Sequence, residues 1–388
     1  MDDDTDTAGS TAPDSPTAAF PTTGSPTADP AGPDSPTPGA TTARDTATVH
    51  DTTGILDEAL ERLHACGPER DGWLSNHAPM AVEALARHGH APRVHRWVDR
   101  YRAKLEDMPA PYARVTRENW REALGDPARI ADWAAHFERE TAERPWREVL
   151  AEWWPRLLPG IAGGATHPVI RVGHAVRSLL AAGDNAPRVT ELAHALGYWA
   201  ARHQPLPALA GLPPAPTAAA ALDAVPAVPE QTGGIRERLA QLSALPRWGT
   251  APDPEAARTH LAELVRAATH RYATHGHGSP VMLVHAATAP NAVLRTLPVL
   301  PRELWVPSLG AAWAASAAVT AAYGPATPDP APPGLPVAGR LLPEEVFERA
   351  AAHGDDHAIK FADTALDVGD PLALAATVRS VEQIPPMF

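Results

Sequence analysis

The chain has one cysteine, Cys66, among 388 residues. A single thiol excludes an intrachain disulfide and any four-cysteine zinc or iron–sulfur site. Basic side chains are outnumbered, 33 Lys and Arg against 46 Asp and Glu, for a formal net charge of −13. Broad binding to nucleic acid or to an anionic membrane surface needs a basic face, so neither is an expected partner. No uninterrupted apolar run of about 18 residues occurs, and no membrane span is expected. The start lacks a basic n-region and an apolar h-region, so no secretory signal is expected and the cytoplasm is the default location. Alternating Val/Ile/Thr/aromatic runs bounded by Asn-Gly or Asp-Gly hardly occur, which leaves little for sheets. Nor is there a Gly-x-Ser-x-Gly elbow for a hydrolase, and Gly160-Ile-Ala-Gly-Gly-Ala lacks the spacing of a dinucleotide-binding turn.

What remains is helical. Residues 1–50 are Asp, Thr, Ser, Pro, Ala and Gly with almost no large apolar side chain, the composition of an acidic disordered tail. Beyond it, Ile55, Leu56, Ala59, Leu60 and Leu63 fall on one face of a helix over Asp51–Ala65. Similar periodicity covers His77–Ala86, Trp133–Glu143, Trp146–Leu158, His167–Leu180, Val189–Arg202, Ile235–Leu242, Pro254–Thr274 and Glu344–Ala352. Val281–Leu300 reads as a helix broken by Pro290, while Pro205–Pro229 and Gly324–Pro336 read as loops or linkers. The expectation is an all-α fold, a single large helical domain over residues 51–388 with a metal site between helices.

The chemistry lies in the 18 histidines. His50, His88, His90, His95, His275 and His277 have charged, Gly or Pro neighbours and read as surface or loop residues. His77, His167, His285 and His357 instead share faces with small or aliphatic residues. Taken singly, each is a satisfied core histidine or a helix-cap neighbour, with Asn76 and Thr166 as caps before Pro79 and Pro168. An unpaired buried imidazole costs about 1–3 kcal/mol, and four such positions are easier to explain if they converge on one ion. Lys360 lies three residues after His357 on one helix face, between Ile359 and Phe361. It is either an ion-pair partner of Asp356 or Asp363, or a buried amine with a lowered pKa that takes up carbon dioxide as a carbamate.

His167-Pro-Val-Ile-Arg-Val-Gly, His285-Ala-Ala-Thr-Ala, Leu297-Pro-Val-Leu-Pro and Asp356-His357-Ala-Ile-Lys360, in this order and with Asn76-His77 before them, resemble the questin oxidase-like family. The resemblance implies an oxidoreductase, a non-heme iron-dependent monooxygenase or dioxygenase that opens an aromatic polyketide or quinone ring. Its partners would be a small aromatic substrate and dioxygen. It also implies Fe(II) held by four histidines and a carboxylated lysine, here His77, His167, His285, His357 and Lys360 with carbon dioxide as the carbamate. Arg171 and His174 depart from the family's usual residues. Two other classes compete. Glu61-x-x-His64 and Glu191-x-x-His194, with Glu83, Glu138, Glu148 or Glu263, match the ligand pattern of a ferritin-like di-iron carboxylate protein. A non-catalytic helical scaffold would use its histidines for packing alone.

Overall fold

Amphipathic periodicity is realised as a stack of helices. The structure, a computed structural model, describes residues 43–329 and 342–387, with side chains from residue 54. Residues 1–42 of the expected tail and 330–336 of the expected second linker lie outside the described residues. The chain opens with α1 (Ala43–His64), α2 (Ala78–Arg87), α3 (Ala91–Arg102) and the short α4 (Trp120–Ala123). Next come α5 (Ile130–Glu143), α6 (Trp146–Leu157), α7 (His167–Ala182) and α8 (Ala186–Ala201). The short α9 (Ala218–Asp223) and α10 (Ile235–Leu239) lead to α11 (Pro254–His275), α12 (Pro280–Leu283), α13 (His285–Thr296) and α14 (Trp305–Tyr323). The last three are α15 (Pro343–His353), α16 (Asp356–Val368) and α17 (Pro371–Gln383). α1 begins at Ala43, earlier than the periodicity suggested, and buries Leu56, Ala59, Leu60 and Leu63 as expected.

The all-α expectation holds, with two small additions. β1 (Glu69–Arg70) and β2 (Leu74–Ser75) form an antiparallel hairpin just before His77. β3 (Ala210–Pro214) pairs in parallel with β4 (Ala244–Arg247). β3 and α9 therefore lie inside Pro205–Pro229, which the Pro and Ala content had marked as a loop. The parallel partner is some thirty residues downstream, beyond the reach of local composition.

Pro290 does not break its helix. It lies within α13, and the helix is interrupted earlier, at Val284 between α12 and α13. A proline leaves the carbonyl four residues back without its usual donor. Here that carbonyl, Ala286 O, accepts a hydrogen bond from Ser316 Oγ of α14 at 2.7 Å. The orphan is satisfied across the helix interface, and the helix continues.

α14 bears on the expectation that no segment spans a membrane. The stretch Arg302–Tyr323 is long and apolar enough to cross a membrane by length and composition, and 67% of its most apolar window is buried inside the molecule. It packs against α11 and α13, and a helix face covered by neighbouring helices needs no polar residues.

Two apolar clusters fill the body. The larger includes Trp133, Phe137, Trp153, Trp154, Val172, Leu196, Leu261 and Val293, and the smaller joins Leu60, Leu85, Val98, Tyr101, Phe347 and Ile359. α16 serves both, with Ala358 and Phe361 in the first and Ile359 and Ala362 in the second. Around this seam α2 packs on α7, α7 on α13, α13 on α16 and α16 on α2. That closed ring of four helices positions the site.

Candidate metal centre

Each of the four expected histidines sits at the N-terminal end of one helix of the ring. His77 is the N-cap of α2, His167 and His285 are the first residues of α7 and α13, and His357 is the second residue of α16. All four converge: one ring nitrogen from each lies within 4.8 Å of the others. His167 is in the middle, its Nε2 2.7 Å from His77 Nε2 and 2.7 Å from His285 Nε2. The His357 ring centroid lies 4.5 Å from that of His77 and 5.4 Å from that of His285.

The opposite nitrogens are held by the backbone or by a carboxylate. His167 Nδ1 donates to Gly164 O at 2.6 Å, and His285 Nδ1 donates to Met282 O at 2.9 Å. His357 Nδ1 lies 2.8 Å from Asp356 Oδ1, an ion-pair contact. His77 Nδ1 lies 3.8 Å from the same oxygen and 3.4 Å from Tyr101 Oη, which also accepts the His77 backbone N–H at 3.1 Å. In a neutral imidazole a protonated Nδ1 leaves Nε2 a bare acceptor. His167 and His285 thus present two bare lone pairs to each other at hydrogen-bond distance. Such a contact repels unless a proton or a cation lies between.

A proton is disfavoured there. Burial first, then Lys360 and the neighbouring imidazoles, holds His77 well below its usual range; burial, His285 and Lys360 do the same to His167. Burial, Lys360 and His357 lower His285 likewise. A metal cation fits instead. Ligands about 2.0–2.1 Å from an ion and at right angles to one another stand about 3 Å apart, close to the spacing found. Four imidazoles suit iron, copper, nickel or zinc.

Lys360 is buried and is not paired with Asp363. It is 1% exposed, and Nζ has no hydrogen-bond partner among the described residues. Asp363, one of the expected salt-bridge partners, is taken by Arg177, Arg295 and His88. Burial lowers the Lys360 amine to about 8 against the opposing pull of Asp356 and Asp355. Burial would raise the Asp356 carboxyl, yet His357 and Lys360 hold it down at about 2.

Local backbone explains how the ends are aimed. Asp355 caps α16, accepting the His357 and Ala358 N–H groups at 2.9 and 3.1 Å. Asn76 is not the N-cap of α2, which is His77, but its Oδ1 accepts Ala78 N–H at 3.0 Å from the position before the cap. Thr166 does not cap α7. Gly164, Ala165 and Thr166 form a left-handed run (φ +55°, +54° and +66°), and Thr166 Oγ1 has no partner. Two non-glycine residues in that region cost about 1–2 kcal/mol each. The run turns Gly164 O onto His167 Nδ1.

His88 lies in the turn after α2, within the surface-or-loop reading, and is half-buried with Nε2 2.8 Å from Asp363 Oδ1. His90, His95, His275 and His277 are partly covered as well, and the His50 side chain lies outside the described residues. The Glu-x-x-His pairs do not form a carboxylate-bridged centre. Glu61 and Glu148 are exposed, Glu263 accepts Ala218 N–H, and both oxygens of Glu191 are taken by Arg171 at 2.5 and 2.7 Å. His194 is held by Glu138 at 2.7 Å. Sequence reading missed Tyr101 and Asp356 as the groups behind His77 and His357. Asp356 stands in the quoted motif beside its histidine, whereas Tyr101 carries no local signal.

A predominantly helical protein with a buried cluster of four convergent histidines is the class that this fold and site define. The model of the questin oxidase-like family matches residues 74–179, the segment that carries His77 and His167. The match agrees with the resemblance read from the motifs and points to an oxidase. His285, His357 and Lys360 lie beyond the matched residues. No curated protein matches the chain.

Proposed function

We propose that this protein is a non-heme iron-dependent oxygenase that cleaves a ring of an aromatic polyketide or quinone-type substrate with dioxygen. His77, His167, His285 and His357 would hold Fe(II), with Lys360 as a carbamate formed from carbon dioxide. The observation that carries the reading is the contact of His167 and His285 through bare Nε2 atoms, a charge arrangement that a cation relieves. Bound iron supplies the one-electron chemistry that lets dioxygen react with an electron-rich closed-shell ring.

The chain's own groups do the rest. The Gly164 and Met282 carbonyls hold the Nδ1 protons of His167 and His285, which fixes each of those rings and its tautomer, while Asp356 faces His357 Nδ1 as an ion-pair partner. Four helix N-termini meet at the cluster, and their partial positive charge favours an ionised phenolic oxygen of the substrate there. With its lowered pKa, Lys360 has an amine fraction free to add carbon dioxide, and the carbamate would offset part of the ion's charge. His77, His167, His285 and Lys360 are buried and His357 is only partly exposed, which limits access of bulk water.

Metal analysis tests the reading. Purified protein reconstituted anaerobically with Fe(II) and bicarbonate should hold one iron per chain, and Ala at any of the four histidines should lower it and stop turnover. His275→Ala should do neither. Full iron retention in two or more of the four variants would remove this ligand set.

A further inference from the structure

A second cluster of ionisable residues lies deeper in the same ring of helices, and the oxygenase reading leaves it without a role. Glu83, His174 and Asp363 come together as a group that could hold a metal. A guanidinium already takes the cation's place. Arg177 Nε donates to Glu83 Oε1 at 2.9 Å, Nη1 to Asp363 Oδ1 and Nη2 to Asp363 Oδ2, both at 2.9 Å, and Nη2 also donates to Glu83 Oε2. Arg295 Nη2 donates to Asp363 Oδ2 at 2.7 Å, and His174 Nδ1 lies 2.7 Å from Glu83 Oε2. Glu83, His174, Arg177 and Asp363 are all buried.

The members come from the four helices that carry the histidines, at matching depth. Glu83 follows His77 by six residues on α2, and Asp363 follows His357 by six on α16. Arg177 follows His167 by ten on α7, and Arg295 follows His285 by ten on α13. At a rise of about 1.5 Å per residue the layer lies about 9–15 Å below the histidines. The four helices therefore run side by side in one direction, tied at two levels.

The two levels differ in kind. At the upper one, bare imidazole nitrogens face each other and pull nothing together until an ion arrives. At the lower one, opposite charges are already joined without any ion. Burial would raise the Glu83 carboxyl, but Arg177 and His174 hold it at about 2; Arg177 and Arg295 likewise outweigh burial and keep Asp363 well below its usual range. We propose that Arg177 is a positioning residue for the metal centre: its fork between Glu83 and Asp363 sets the rotation and slide of α7 against α2 and α16, so that the histidines stand preorganised for the ion. This inference rests on the reading of the upper cluster as a metal site.

The test uses the full chain in metal-free form, titrated with Co(II), whose visible absorption reports coordination geometry. Arg177→Lys keeps the charge and loses the fork; Glu83→Gln keeps the shape and loses the charge. Arg171→Lys is the reference, because it breaks a comparable buried fork on the same helix α7, to Glu191 of α8, which carries no ligand. Expected is a tenfold or greater loss of Co(II) affinity with shifted d–d bands in Arg177→Lys and Glu83→Gln. Arg171→Lys should keep both at an equal or larger drop in melting temperature. Should Arg177→Lys fail to fold, Glu83→Gln decides by the same criterion. Wild-type affinity and spectrum in the folded fork variants would overturn the inference alone, as would affinity that merely follows melting temperature across all three. A wild-type chain that binds no Co(II) would overturn the metal reading and this inference together.

Discussion

Lys360 is one of only two lysines, with Lys104, among 33 basic residues. Where this chain needs a structural cation it uses arginine, as at Arg171, Arg177 and Arg295. A lysine kept in an apolar segment was thus a stronger signal than its neighbours alone conveyed. Its stability effect has a definite sign. The amine releases its proton near pH 8 when folded and near 10.5 when unfolded, so the unfolded chain holds more protons between those values. Burying the cation destabilises the metal-free fold by about 3 kcal/mol below pH 8, and this penalty fades as pH rises toward 10.5. Lys360→Met should therefore raise the stability of the metal-free protein at pH 7 by up to about 3 kcal/mol, with little gain near pH 10.5, while iron binding falls. Denaturant unfolding at the two pH values checks it, and a variant less stable than wild type at pH 7 would refute it. Lys360→Arg should also lose iron, because a guanidinium forms no carbamate. Iron uptake by the metal-free wild type should depend on bicarbonate, and equal uptake with and without it would remove the carbamate.

Helices meet closely where the chain has placed small residues. A Cβ added at Gly173 of α7 would stand 2.5 Å from Ala292 Cβ and 2.6 Å from its Cα, on α13. These two helices carry His167 and His285, one of the two pairs in direct contact. Gly173→Ala should push them apart, costing about 1–3 kcal/mol and weakening metal binding. Gly197→Ala on α8 meets the Ala134 backbone of α5 at 2.8 Å and should cost a similar amount with metal binding intact. Thermal melts paired with Co(II) titration separate the two, and identical binding in both variants would show that the α7–α13 spacing does not set the site. Pro290 teaches the complementary lesson. Read locally it breaks a helix, but its freed carbonyl is satisfied by Ser316, on another helix. Ser316→Ala should leave Ala286 O without that donor and destabilise by about 1–3 kcal/mol. A melting temperature equal to wild type would show that Ser316 is not what keeps α13 continuous.

Among the described residues, nine histidines are held below their usual pKa, with burial the largest cause in each: His77, His90, His136, His167, His174, His194, His203, His275 and His285. His357 is shifted upward; burial opposes that, and Asp356 outweighs it. A histidine with a depressed folded pKa adds stability above its unfolded pKa of 6.5, and that stability is lost as pH falls. The metal-free protein should therefore lose melting temperature steadily as pH drops from 6.5, before any carboxylate titrates. Glu83 and Glu191, both held at about 2, add their loss only below 4.5. Melts between pH 7 and 4 check this, and a flat profile from 6.5 to 5 would contradict it. Metal binding should weaken over the same range, since the ion and the proton compete for the same nitrogens.

By itself the sequence determined the helical class, the buried face of α1, and the four histidines and one lysine worth bringing together. These are legible because period, composition and short motifs are local properties that need no knowledge of neighbours. It did not determine the β3–β4 pairing, the continuity of α13 through Pro290, the burial of α14 or the Arg177 network. Each of those depends on a partner far away in the chain, and a lone residue carries no mark of the group that will satisfy it. Tertiary structure alone showed that Asp363 is not the ion-pair partner of Lys360. Asp363 lies three residues further along the same helix, yet Arg177 and Arg295 reach it from α7 and α13. A guanidinium anchored on a neighbouring helix offers a planar fork to both carboxylate oxygens, and Lys360 Nζ is left beside four imidazoles without a partner.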